Sequence, residues 1–292
     1  MKHLLLTGSS GFVGKRFVPF NKDRYQITSI SLRKNKVSDI DWQGIDTVVH
    51  LAGMAHQMQK IDDQIYFQVN HELTKELATA AKAAGVPHFT FISTIKVFGE
   101  HHTQKLDENT ACEPRNDPYG ESKLLAENFL NSIQSPDFKV AIVRPPLVYG
   151  PGVKGNLIRF LDLAEKPFPL PFASINNRRT MVFLDNLIAL INQITDTEAS
   201  GLFLAGDRQP LSTTKLIQDM RIGMGKSPCL FTLPKSLVKV LSSFRPELAI
   251  RLFGSLEMDT TVTNKKLNFV PPFTIQQGIQ SMVDWYKYEK LK

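Results

Sequence analysis

A tyrosine and a lysine four residues apart have the types and spacing to do proton chemistry. Tyr119 and Lys123 follow an Asp117-Pro118 turn, which predicts the start of a helix. On a helix this spacing places both side chains on one face, so that an ammonium can approach a phenol. A nearby positive charge favours the phenolate and lowers the tyrosine pKa toward the range of a general base. The pair could transfer protons, or it could be an accidental pair on a surface helix.

The elements that would position this pair begin with a glycine-rich turn at the start of the chain. A buried strand is predicted over residues 2–6 and a helix over residues 15–20. Between them, Gly8 and Gly11 would let the backbone turn close to a pyrophosphate at the positive end of the helix, and Gly14 would let helix and strand pack closely. Strand, turn and helix together favour dinucleotide binding over a glycine turn without a ligand.

The end of the second predicted strand, residues 26–31, bears on the choice of cofactor. NAD enzymes usually carry an acidic residue there for the ribose hydroxyls, whereas this strand ends at Ser31 and is followed by Arg33 and Lys34. Small and basic residues suit a ribose 2′-phosphate, so the sequence favours NADP(H) over NAD(H), with a solvated basic turn as the alternative. Asp39 in the next turn could contact adenine or serve only the turn.

Hydroxyl and amide side chains follow the next segments. A helix predicted over residues 62–84 carries Asn70 beside its apolar stripe, so this amide either faces the core with a hydrogen-bond partner or faces water. A buried strand predicted over residues 88–92 is followed directly by Ser93 and Thr94. Ligands bind at the carboxyl ends of parallel strands, so these hydroxyls are placed to touch one, unless they serve only a turn.

Composition narrows the class of protein. The chain has 292 residues, 42% of them hydrophobic and 22% charged, as in an ordinary globular protein. Cys112 and Cys229 are far apart and lack C-x-x-C spacing, which argues against a metal centre or a disulfide framework and favours a reducing cytoplasm. The net charge of +7 is spread without a basic block, so nucleic acid is unsupported, and no apolar run reaches signal-peptide or membrane length.

Five motifs in order resemble the extended short-chain dehydrogenase/reductase family, which includes NAD-dependent epimerases and dehydratases of nucleotide sugars. They are TGSSGFVG (7–14), HLAG (50–53), ISTIKVFGE (92–100), PYGESK (118–123) and RPPLVYGP (144–151). The resemblance implies that Tyr119 is the catalytic acid/base, with Lys123 as its pKa-lowering partner. It also implies that Thr94 bonds the reacting oxygen and that Asn70 supports the lysine through water.

The same resemblance implies binding residues along the chain. Those expected at the cofactor are Gly8, Ser10, Gly11, Phe12, Val13, Gly14, Ser31, Arg33, Lys34, Asp39, Ile40, Leu51, Ala52, Gly53, Ser93, Tyr119, Lys123 and Pro146. Those expected at the substrate are Thr94, Lys96, Asn156 and Arg179. Arg179 would clamp phosphate with its bidentate fork, the alternative being a solvated arginine.

Departures from the family pattern narrow the activity. Leu147 and Phe183 stand where many relatives have asparagine and histidine, so the sequence does not determine which uridine or thymidine nucleotide binds. Ile95 and Lys96 stand where dehydratases have an Asp-Glu pair, which argues against 4,6-dehydration. The surrounding sequence resembles the subgroup of 4-epimerases and 4-keto reductases of UDP-N-acetylhexosamines in surface-polysaccharide pathways.

We therefore expect an α/β fold with a doubly wound parallel (Rossmann) sheet and a smaller, discontinuous, α-rich substrate domain. The dinucleotide-binding domain would comprise residues 1–150 and 176–206, and the substrate domain residues 151–175 and 207–292. The latter would include apolar-faced helices over 237–244 and 248–256 and a closing helix over 274–290.

We expect a cytoplasmic homodimer that acts by hydride transfer at sugar carbon 4. It would be a 4-keto reductase of a UDP-N-acetyl-6-deoxyhexosamine or a UDP-sugar 4-epimerase acting on UDP-glucose or UDP-N-acetylglucosamine. A non-catalytic NAD(P)-sensing regulator on the same fold is a third possibility.

Overall fold

A parallel sheet forms the centre of the computed structural model, which describes residues 1–55, 62–99, 104–234, 236, 243–244 and 246–292. Its six strands run in the order β2-β1-β3-β4-β5-β8. They are β1 (His3–Thr7), β2 (Gln26–Ile30), β3 (Thr47–His50), β4 (His88–Ile92), β5 (Lys139–Arg144) and β8 (Gly201–Leu204). A separate two-stranded sheet pairs β6 (Leu147–Tyr149) with β7 (Met181–Phe183). The expected doubly wound α/β fold is confirmed.

Helices connect and cover these strands. Within the described residues they are α1 (Phe12–Phe20), α2 (Asp63–Tyr66), α3 (Leu73–Ala83), α4 (Pro118–Ile133), α5 (Asn156–Ala164), α6 (Leu184–Thr197), α7 (Thr213–Gly223), α8 (Pro246–Phe253), α9 (Thr261–Leu267) and α10 (Ile275–Lys290). Most of the helix expected over 237–244 lies outside the described residues. None of the helices described is both long and apolar enough to cross a membrane.

The sheet order creates a crevice beside β1. The chain moves from β1 to β2 on one side and then returns to β3 on the other side. Turns at the carboxyl ends of β1 and β3 therefore diverge, which leaves the crevice where doubly wound sheets bind their ligands. Buried apolar residues pack on both faces of the sheet, among them Leu4, Leu6 and Val49 on one face and Leu5, Val48 and Phe89 on the other.

The helix expected over residues 62–84 is interrupted. Asp62 caps its start by accepting from the backbone N–H of Gln64, and Ala84 caps its end, as expected. Between α2 and α3, however, residues Phe67–Glu72 form a π-helical segment. Such wide turns are rare and occur often at functional sites, and this one contains Asn70. The proposed division between a dinucleotide-binding and a substrate domain stays a prediction.

Candidate active site

Tyr119 and Thr94 are hydrogen-bonded through their side chains. Tyr119 lies in the first turn of α4, where the Asp117 carboxylate caps the helix by accepting from the N–H of Gly120 at 3.2 Å. Thr94 follows β4 and caps the short 3₁₀ turn Ile95–Phe98. Two caps thus hold the phenol and the hydroxyl side by side at the carboxyl end of β4.

The Tyr119 phenol is protonated throughout the neutral range. Burial raises the pKa of Tyr119 to about 12, the hydrogen bond from Thr94 lowers it, and the charges of Asp117 and Tyr66 add to the rise. This direction is opposite to the one expected from the spacing of Tyr119 and Lys123, because desolvation of the phenolate is the largest influence on this pKa. In this form Tyr119 can donate a proton.

The Lys123 ammonium is directed at the end of β4. Its Nζ donates to the main-chain oxygen of Ile92 at 2.9 Å and lies 4.4 Å from the ring centroid of Phe91. Burial lowers the pKa of Lys123 to about 7, against the opposing charge of Glu127. Near neutral pH the side chain therefore exists in both charge states.

Asn70 is fully buried and faces the core, so the water-facing alternative is wrong. Its Oδ1 accepts from the N–H of Met54 at 2.8 Å, and its Nδ2 donates to the Met54 carbonyl and to Ser122 Oγ, both at 3.1 Å. A Cβ atom on Gly53 would lie 3.0 Å from both Asn70 Oδ1 and Lys123 Nζ. The amide and the ammonium therefore converge above Gly53, while a water between them stays a prediction.

A buried ion pair adjoins this cluster and was missed by the sequence analysis. Arg144 Nε donates to Glu127 Oε1 at 3.0 Å and its Nη2 to Oε2 at 2.5 Å. Ser93 Oγ, expected at the cofactor, donates to the same carboxylate. Glu127 is one further helical turn along from Lys123, so extending the Tyr119 and Lys123 stripe by four residues would have found it.

The turn after β1 has the shape required by a dinucleotide. Gly8 has a φ of +76°, and a Cβ there would lie 2.5 Å from the backbone nitrogen of Ala52. A Cβ on Gly14 would lie 2.1 Å from the Gly8 carbonyl oxygen, so only glycine lets α1 approach the turn. Among the described residues, no side chain caps the start of α1, which leaves first-turn N–H groups for a pyrophosphate. These residues fit the dinucleotide.

The sequence comparison decides the family. A model of the NAD dependent epimerase/dehydratase family matches residues 4–202. The chain belongs to this family. The resemblance inferred from the five motifs is confirmed, and the chain is an enzyme of the NAD dependent epimerase/dehydratase family, which sets aside the sensing regulator.

Individual relatives agree with this assignment. A UDP-glucose 4-epimerase of Vibrio cholerae is 34% identical to the chain, and the match covers 96% of this chain and 94% of that protein. The crystal structure of UDP-glucuronic acid 4-epimerase from Bacillus cereus in complex with NAD matches with a TM-score of 0.76 and 21% identity, covering 98% and 99% of the two chains. The structure of RMD from Pseudomonas aeruginosa complexed with NADPH matches with a TM-score of 0.78 and 20% identity, covering 99% and 98%. The two structural matches show the fold.

The expected ribose contacts lie beyond β2. Ser31 opens a turn in which its carbonyl accepts from the N–H of Lys34 at 2.9 Å, and Arg33 and Lys34 are exposed. The Asp39 carboxylate accepts from the N–H of Lys36 at 2.9 Å, so it does serve its own turn, and Ile40 is buried in the core. Cofactor contacts at these positions stay predictions for this family member.

The expected substrate residues differ in their surroundings. Lys96 Nζ lies 3.5 Å from Asp117 Oδ2, next to Tyr119. Asn156 is the first residue of α5, and Pro146 is buried between β5 and β6. Arg179 donates from Nη1 to the carbonyl of Gly254 at 3.1 Å, just beyond α8, and burial lowers its pKa. The structure thus groups Lys96 with Thr94 and Tyr119, and phosphate binding by Arg179 stays a prediction.

Proposed function

We propose that this enzyme transfers hydride at carbon 4 of the sugar in a nucleotide sugar. The net reaction is reduction of a UDP-N-acetyl-6-deoxy-4-keto-hexosamine with NADPH. The observation that carries the proposal is the protonated Tyr119 phenol hydrogen-bonded to Thr94. A keto oxygen that accepts hydride at its carbon needs one proton, and a phenol with a raised pKa holds that proton at neutral pH.

The chain's own residues account for the proton and for orientation. The Thr94 hydroxyl holds the keto oxygen, and Tyr119 Oη delivers its proton to that oxygen as negative charge develops. When bound, the nicotinamide supplies the hydride to the carbon. A Lys123 ammonium favours the resulting Tyr119 phenolate and so makes proton donation easier, and the carbonyl of Ile92 and Asn70 keep this lysine near the site.

The turn after β2 supports NADPH. Arg33 and Lys34 are exposed there, and residues 30–36 include no acidic side chain to bind a ribose 2′-hydroxyl. Two cations suit the 2′-phosphate of NADPH, whose charge they would partly neutralise. Since the two structural matches were solved with NAD and with NADPH, the fold accommodates either cofactor.

Epimerisation at carbon 4 is the second candidate. The 34% identical relative is named a UDP-glucose 4-epimerase, and its match spans nearly the whole of both chains. In an epimerase the same residues would first take the proton from the carbon 4 hydroxyl and later return it on the opposite face of the sugar. That first step requires Tyr119 to act as a base, whereas the net reduction requires it only as an acid.

Mass spectrometry separates the two reactions. UDP-N-acetylhexosamines and their 4-keto-6-deoxy derivatives are incubated with enzyme and either NADPH, NADH or no cofactor. A product two hydrogens heavier, formed with one equivalent of NADPH oxidised, supports the reductase. An isomer of unchanged mass, formed without added cofactor, contradicts it and supports the epimerase, and Tyr119→Phe is the negative control for both.

We also propose that the enzyme is a homodimer that pairs the α2–α3 region and α4 with the same helices of a second copy. Leu125 on α4 is 42% exposed, so this helix has an apolar side chain that a second copy could cover. Sedimentation at micromolar concentration should give twice the chain mass, and Leu125→Asp should give the monomer. A wild-type monomer would remove this proposal.

A further inference from the structure

An unbroken series of hydrogen bonds, all but the first of them buried, connects the turn after β3 with the π-helical segment. Ala52 N–H donates to Thr7 Oγ1 at 3.2 Å, and Thr7 Oγ1 lies 2.6 Å from His50 Nδ1. His50 Nε2 lies 2.9 Å from Thr74 Oγ1, and that hydroxyl donates to the Asn70 carbonyl at 2.8 Å. The side chains of Thr7, His50 and Thr74 are all fully buried.

The two ends of this series of hydrogen bonds determine which atom carries each proton. A carbonyl oxygen can only accept a hydrogen bond, so the Thr74 hydroxyl donates its proton to the Asn70 carbonyl. The Thr74 oxygen must then accept a hydrogen bond from His50 Nε2–H. In a neutral imidazole, Nδ1 then carries no proton and accepts from the Thr7 hydroxyl. The Thr7 oxygen in turn accepts from the N–H of Ala52. Every group is satisfied in only one arrangement, with His50 as the Nε2–H tautomer.

The surroundings of His50 agree with a neutral ring. Burial, with a smaller contribution from the charge of Lys123, lowers its pKa to about 3. The ring stacks on Phe91 with its centroid 5.7 Å away, and within the described residues both ring nitrogens have hydroxyl partners. A proton-accepting role for His50 at neutral pH does not fit these contacts.

Both ends of this series of hydrogen bonds reach the candidate active site. At one end, Ala52 packs directly against Gly8, which shapes the dinucleotide cradle. At the other end, the Asn70 side chain holds the backbone of Met54 and bonds Ser122, the residue before Lys123. The segment from β3 to Met54 is therefore held between the cradle and the catalytic helix α4.

We propose that His50, as the Nε2–H tautomer, and Thr74 are positioning residues that hold Asn70 and the end of β3 so that Lys123 is placed correctly beside Tyr119. The hydroxyl of Thr74 fixes the carbonyl of Asn70 within the wide π turn, and His50 fixes that hydroxyl. This inference rests on the proposed hydride transfer, in which Lys123 assists Tyr119.

A pair of matched threonine variants separates positioning from packing. Thr79 lies on the same helix α3 and makes the same bond, from its hydroxyl to the carbonyl four residues back, Lys75, at 2.8 Å, but it is exposed. Thr74→Val keeps the side-chain shape and removes the hydroxyl, Thr79→Val does the same at the surface, and Thr74→Ser restores the hydroxyl. Each variant is assayed for kcat and KM well below its melting temperature.

We expect Thr74→Val to lower kcat about ten-fold with KM for the sugar changed by less than about three-fold. Thr74→Ser should recover most of the loss, and Thr79→Val should match wild type. If Thr74→Val lowers the melting temperature but keeps the wild-type kcat, the bond is only structural and the proposal is overturned.

The tautomer gives a readout that does not depend on turnover. In a long-range ¹H–¹⁵N spectrum of histidine-labelled wild-type enzyme, the ring whose signals shift in Thr74→Val should show a protonated Nε2 and an unprotonated Nδ1 from pH 6 to 9. A protonated Nδ1, or titration within that range, overturns the proposal. If the tautomer is as expected but wild type turns over no nucleotide sugar, the proposed function fails and the hydrogen-bond order stands.

Discussion

Lys123 Nζ donates to the main-chain oxygen of Ile92 at 2.9 Å, where β4 ends. Through this bond a residue of α4 is tied to the carboxyl edge of the sheet, one helical turn from Tyr119. The bond also satisfies one of the three protons of an ammonium that is otherwise surrounded by buried groups, including the Phe91 ring. The position of Lys123 is therefore well defined, while its charge is poorly stabilised.

The lowered pKa of Lys123 predicts a pH dependence of stability. The folded value of about 7 lies below the usual value near 10.4, so between these values the unfolded chain binds more protons. The free energy of unfolding of wild type should therefore rise with pH across this window relative to Lys123→Met, by roughly a few kcal/mol. Urea unfolding of both proteins at pH 7, 8.5 and 10 measures this. A difference that stays constant with pH would contradict the lowered pKa.

Replacing Tyr119 by phenylalanine should remove the proton donor and keep the ring. We expect kcat to fall by about 10²–10⁴-fold, the usual contribution of a positioned acid, with the dissociation constant of NADPH within about two-fold of wild type. Tyr288→Phe is the control, because Tyr288 lies on α10 and is 60% exposed. Near-normal turnover by Tyr119→Phe would show that another group supplies the proton.

The Glu127 and Arg144 pair should be important for stability. Glu127→Gln would leave the buried Arg144 guanidinium without its bidentate carboxylate, and such a loss costs about 3–5 kcal/mol of unfolding free energy. The double variant Glu127→Gln/Arg144→Met should recover part of this, since no charge is left unpaired. Glu257→Gln, which breaks the exposed pair with Arg178, should have a much smaller effect. Equal losses for the two single variants would contradict the account.

Arg33→Ala should weaken the use of NADPH much more than that of NADH. The expected loss is roughly 1–3 kcal/mol, or about 5- to 150-fold in kcat/KM for NADPH, for one charge-assisted contact to phosphate. Arg115→Ala is the control for removing an exposed arginine elsewhere, because Arg115 pairs with its neighbour Glu113. If both cofactors lose activity equally, Arg33 does not read the 2′-phosphate.

The sequence predicted those structural features that depend on residues close together in the chain. The strand before Gly8, the helix start after the Asp117-Pro118 turn and the hydroxyl of Thr94 at the end of β4 all follow from patterns within a few residues, and the structure has them. The close approach of Gly14 to Gly8 is also local, whereas the approach of Ala52 to Gly8 brings together two strand ends that are far apart in sequence.

Contacts between residues far apart in sequence determine the features of the site that the sequence did not predict. The direction of the Tyr119 pKa shift depends on how deeply the phenol is buried, which the spacing to Lys123 does not reveal. Ser93 bonds Glu127 because β4 lies against α4 in the fold. Arg179 meets the carbonyl of Gly254, which is 75 residues away in sequence. The π segment Phe67–Glu72 was not predicted, because the sequence analysis read one regular helical stripe through residues 62–84.

Isotope transfer tests the central claim most directly. Enzyme is incubated with the 4-keto-6-deoxy UDP-N-acetylhexosamine and NADPH carrying deuterium in the transferred position, and the product is analysed by mass spectrometry and NMR. Our account predicts one deuterium per product molecule, bound to sugar carbon 4, with Tyr119→Phe giving almost none. A carbon 4 product free of deuterium, formed at the wild-type rate, would contradict hydride transfer from NADPH at this site.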